Sequence, residues 1–148
     1  MSNTREHEKA LLEAAWREPA VLDGVTVDLF ADENHRRLYT AIKDCLSKGL
    51  VPDTVAICDS LRQHGMDEQP AAVLVSGFSP GSAANAPWLV EQMEEAARRR
   101  SMRRAAQLTI ERIDNDDPLE VIENEVRQII ETPVARRQTF LQVDMARL

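Results

Sequence analysis

The chain has 148 residues, 43% of them hydrophobic, 29% charged and only 4% aromatic, with a net charge of -7. A chain of that length can bury a core without disulfide or metal staples, and its apolar content is too high for a disordered segment. The scarcity of aromatic residues disfavours β-sandwiches and base-stacking RNA platforms, and the acidic balance argues against a general nucleic-acid coat, whose phosphate contacts need a basic surface.

The opening MSNTREHEKALLEAAW is polar and charged, so no signal peptide is expected. Leu11, Leu12, Ala15 and Trp16 recur at helical spacing over residues 5–17, with Thr4 as the expected N-cap. Pro19 and Gly24 bracket a short second helix over Pro19 to Asp23. Asp32 is expected to cap a helix reaching Lys48, with Leu38, Tyr39, Ile42, Cys45 and Leu46 on one face and Gly49 as its stop. Asp53 or Thr54 opens the next helix, whose Val55, Ile57, Cys58 and Leu61 are expected to point inward, and Gly65 closes it. Glu68 to Gly77 reads as a further short helix. Ser79-Pro80-Gly81-Ser82 is a loop by composition.

From Asn85 a long helix is expected to reach Ile113, which at 1.5 Å per residue is roughly 40 Å. Asn115-Asp116-Asp117-Pro118 breaks it and starts another helix. There Leu119, Ile122, Val126, Ile129 and Ile130 alternate at three- and four-residue steps, a seam suited to a partner helix. The fold class is therefore all-α: a compact bundle over 1–84, a helical hairpin over 85–131, and a linker or tail over 132–148.

Few residues point to chemistry. Cys45 and Cys58 form no CxxC pair, and His7, His35 and His64 complete no zinc pattern, so reduced cytosolic thiols and no metal are expected. His35, beside Asp32, Glu33, Arg36 and Arg37, is expected to hydrogen-bond a neighbouring loop or helix end rather than transfer protons. Asp53 and Asn85 read as helix caps, and Phe30 and Tyr39 as core anchors. Arg98, Arg99, Arg100, Arg103 and Arg104 fall within one short stretch, while Glu111 to Glu131 is acidic. The arginines could pair with that acidic stretch, line a channel near single-stranded DNA, or be solvated. No apolar run is long enough to span a membrane, and a cytoplasmic location is expected.

The order Phe30, His35, Tyr39 and Ile42, an F-x4-H-x3-aromatic-x2-I pattern, followed by Gly49, Pro52, Asp53, Val55 and Leu61, resembles the N-terminal domain of DnaB-type replicative helicases. The opening EHEKALLEAAWREPAVLDGV is similar to that family's first helix, and Ser82-Ala83-Ala84-Asn85 to the loop before its long helix. Glu13 stands where the family usually has a glycine. The resemblance spans about residues 5–131. It implies a non-catalytic collar domain that pairs through its hairpin, assembles as three pairs in a hexamer, and receives primase or a loader, while a separate RecA-like motor hydrolyses ATP. This chain has no GxxxxGK[ST], and its five glycines form no phosphate loop, so no nucleotide cofactor is expected.

The expected interface comprises Met93, Met102, Leu119, Ile122, Val126, Ile129 and Ile130 with Arg99 and Arg103. The expected partners are a second copy and a primase or helicase loader, with DNA met only weakly or indirectly. Two rival readings remain: a standalone mobile-element protein that mimics the collar and modulates a host helicase, and a small helical DNA-binding regulator.

Overall fold

The structure, a computed structural model, describes residues 3–128 and 131. Among these no strand occurs, and the chain divides into two compact units, the first ending at Ala97 and the second beginning at Arg98. The helices are α1 (Thr4–Arg17), α2 (Glu33–Ser47), α3 (Thr54–Gln63), α4 (Glu68–Ser76) and α5 (Ala86–Asp114). A sixth, α6, covers residues 119–128. Two 3-10 segments, Pro19–Leu22 and Val27–Leu29, link α1 to α2. The first stands where a short second helix was expected over Pro19 to Asp23, and the second has no counterpart in the sequence reading.

Caps and stops explain most boundaries. The Asp32 carboxylate accepts from the Asn34 and His35 amides at 2.8 and 3.3 Å, satisfying donors that α2 leaves unpaired. Asp53 does the same for α3, accepting from the Ala56 amide at 2.8 Å. Thr4, by contrast, lies inside α1, and the preceding Asn3 makes no side-chain cap. Helices α2 and α3 both end on a glycine in the left-handed region, Gly49 (φ 73°) and Gly65 (φ 99°). In each case the next amide folds back, Leu50 onto the Cys45 carbonyl and Met66 onto that of Leu61.

The core of the first unit collects Leu11, Leu12 and Ala15 of α1, Leu38, Ala41, Ile42 and Cys45 of α2, Ile57 and Leu61 of α3, and Ala71 and Val75 of α4. Phe30 is buried between these elements, its ring centroid 5.3 Å from that of Tyr39, whose hydroxyl donates to the Val25 carbonyl at 2.6 Å. Burying one such large apolar side chain stabilises the fold by about 1.5–3 kcal/mol. Val55 departs from expectation: it is 71% exposed. The buried stripe of α3 runs Ile57, Ser60, Leu61, and a residue two before Ile57 falls on the opposite side of the helix.

The unit boundary falls within α5 rather than before Asn85. Ala86, Leu89 and Met93 belong to the first unit's core, and no one face of α5 is apolar along its whole length. The loop leading into α5 is tied to α1. Glu13 accepts from the Ser79 amide at 3.0 Å through its carboxylate and from the Gly81 amide at 2.8 Å through its carbonyl. A Cβ at Gly81 would meet the Glu13 Cβ at 3.1 Å, tighter than most such contacts, so the close approach favours glycine.

Candidate functional site

Helix α6 and the stretch of α5 from Arg98 form the second unit. Asp116 turns the chain with a non-glycine φ of 55°. The Asp116 amide donates to the Ile113 carbonyl and the Asp117 amide to that of Arg112, closing α5 in the same folded-back pattern seen after α2 and α3. Arg112 then clamps the turn, donating to Asp117 at 2.9 Å and meeting Glu125 of α6 at 3.1 Å. The hydrogen bond to Asp117 and the Glu125 charge hold the guanidinium pKa above its ordinary value.

The residues expected to form the interface separate into distinct environments. Met102 (48%) and Leu119 (72%) are exposed, as are Arg99 and Arg103. Val126 is half-buried. Ile122 is 6% exposed and, with Ala105, makes the buried interior of the second unit. Met93 is fully buried in the first unit and offers no surface, because the opening turns of α5 close that core. Ile129 and Ile130 lie outside the described residues. Three further large side chains of the second unit, Ile110, Ile113 and Val121, are exposed, and the seam pattern had not selected them.

In the first unit the sequence reading missed one partner. His35 bonds no loop or helix end through its ring. Its Nδ1 lies 2.8 Å from Oε1 of Glu8, a fully buried carboxylate on α1. Glu8 also accepts from the Ala31 amide at 2.9 Å and the Asp32 amide at 3.3 Å. An ionised carboxylate only accepts, so Nδ1 carries the proton. Burial pushes the Glu8 carboxyl up, but the hydrogen bonds from His35, Ala31 and Asp32 outweigh it and hold it below the usual carboxylate range. The signal was available: Glu8, Leu11, Leu12 and Ala15 share the i, i+3, i+4, i+7 stripe, which places a carboxylate on the buried face. The edge of Phe78 completes the His35 environment, with ring centroids 5.8 Å apart.

Enclosed by core, with the Glu8 carboxylate bonded to two amides and to His35, the pair has the setting of a structural element rather than a proton-transfer site. Burial raises both the Cys45 and Cys58 thiols, the reverse of an activated nucleophile. Among the described residues no cluster of three His, Cys, Asp or Glu could hold a metal, and no helix is long and apolar enough to cross a membrane.

The first unit also carries an open cleft of about 420 Å³ between Val27, the outer face of α2 and the end of α3. Arg36, Arg37 and His64 edge it, with Glu33 at the rim, over Ala41, Leu61 and Met66.

The described residues thus form a helical bundle and a helical hairpin, an all-α architecture. Residues 1–95 match the family described as DnaB-like helicase N terminal domain, and the chain belongs to that family. No curated protein matches. Among solved structures the fold is similar to the N-terminal domain of DnaB helicase from Mycobacterium tuberculosis, at 21% identity and a TM-score of 0.66, covering 85% of this chain and 95% of that one.

Proposed function

We propose that this chain is an assembly domain in DNA replication. It pairs with a second copy through its hairpin, contributes to the collar of a DnaB-like helicase, and leaves surface for a primase or helicase loader. The observation that carries the reading is the group of exposed large apolar side chains in the second unit: Met102, Ile110, Ile113, Leu119 and Val121. Exposed apolar patches on small domains commonly mark interfaces, and family membership supports a helicase context.

Sedimentation tests the pairing. The wild-type chain is expected to self-associate, and Met102→Glu with Leu119→Glu to shift it to monomer while circular dichroism keeps its helicity. A strictly monomeric wild type at high concentration, or a double variant that associates unchanged, overturns the reading. Ile122→Glu is the wrong probe, because its buried side chain holds the hairpin itself.

A further inference from the structure

Among the described residues no ion pair joins Arg36, a cation lining the cleft beside α2, to a carboxylate. Arg36 Nη1 donates to the Phe30 carbonyl at 3.1 Å and the Ala31 carbonyl at 3.2 Å. Those two carbonyls fix the half-buried guanidinium, yet they leave its full charge and its remaining donors uncommitted. The neighbouring Arg37 is neutralised by Glu33 at 3.1 Å. On the far side, His64 Nδ1 lies 2.7 Å from the Ser60 carbonyl, which can only accept, so Nδ1 carries the proton. Between the two walls Val27, Ala41, Leu61 and Met66 supply an aliphatic floor.

We propose that this cleft is a docking site for a protein segment that presents one carboxylate beside an aliphatic side chain. Arg36 would take the carboxylate as a two-pronged donor, the geometry in which a guanidinium is strongest, and the floor would take the aliphatic group. The volume, about 420 Å³, is in the range of pockets that hold side-chain-sized groups. Charge complementarity selects the occupant. One uncompensated cation matches one carboxylate, whereas a polyanion such as nucleic acid would meet a chain of net charge -7.

The choice of a protein as bearer of that carboxylate rests on the recruiting role proposed above. The cleft itself is read independently of hairpin pairing. The test is a two-dimensional NMR titration of the full chain with N-acetyl-Leu-Glu-amide, its Leu-Gln and Ala-Glu counterparts, inorganic phosphate and oligo-dT. Saturable shifts confined to the amides around Val27, Arg36, Ala41, Leu61 and Met66 are expected for Leu-Glu. They should weaken at least several-fold for Leu-Gln and Ala-Glu, be lost in Arg36→Gln, and be clearly weakened in Arg36→Lys, which keeps the charge but not the two-pronged geometry. Absence of saturable shifts with Leu-Glu overturns the site, as does equal binding of Leu-Gln. Stronger shifts from phosphate or oligo-dT overturn the peptide assignment. If the sedimentation test fails and this titration succeeds, the assembly reading falls while the cleft stands.

Discussion

At the residue scale, Glu8 dominates. Removing one partner from a buried, hydrogen-bonded charge pair costs about 3–5 kcal/mol, and Glu8→Ala should lose stability on that order in urea unfolding. Glu8→Gln keeps one acceptor oxygen, enough for the Ala31 amide or for the Asp32 amide with His35 but not for both, and should cost less than the alanine, about 1–3 kcal/mol. A carboxyl held low in the folded state contributes stability that is complete above its unfolded pKa. That stability drains away as pH falls through the folded value. The acid side of the stability profile should therefore be shallower in Glu8→Gln than in the wild type. It should not vanish, because Asp32 and Asp44 are also held low: the bonds to Asp44 from Ser60 and Lys48, and those to Asp32 from the His35 and Asn34 amides, outlast acidification to below the usual range. Identical profiles would show that Glu8 does not titrate with unfolding.

At the element scale, boundaries were legible wherever one residue decides them. Asp32, Asp53, Gly49 and Gly65 announced where α2 and α3 start and stop, and the structure uses each for that purpose. Asp53→Ala should cost α3 about 1 kcal/mol, read by thermal unfolding. Asp116 is the exception among the stops, an L-residue in the left-handed region where glycine is favoured. Asp116→Gly should thus stabilise the hairpin by about 0.5–1 kcal/mol, and a lower midpoint would mean that the aspartate side chain has a role the turn geometry does not reveal. What the sequence hid were contacts between elements distant along the chain. His35 sits 27 positions from Glu8, and Ser79 sits 66 positions from Glu13, so no local pattern joins them. Val55 failed for a different reason: it is apolar and helical, but on the wrong side of the Ile57–Leu61 stripe.

At the scale of the whole molecule, the all-α class and the family were readable from spacing, while the extent of the bundle was not. Met93 looked like interface because it lies on the long helix. It is core because the first turns of that helix complete the first unit. Gly81→Ala tests how the loop before α5 is held: the 3.1 Å approach to Glu13 should cost stability, and replacement of Glu13 by alanine should leave that steric penalty in place because the contact is with its Cβ. The buried carboxylate has one more consequence, for how the chain finds its alignment. Greasy helices can slide past one another by a turn at little cost, since one aliphatic side chain substitutes for another. Were α1 to settle one turn out of place, Leu12 would face the His35 ring and the Ala31 and Asp32 amides, and an ionised carboxylate would sit among aliphatic groups with nothing to answer it. Glu8 thereby works as a proofreading key: a single charge that makes every near-miss docking of the first helix far worse than the correct one.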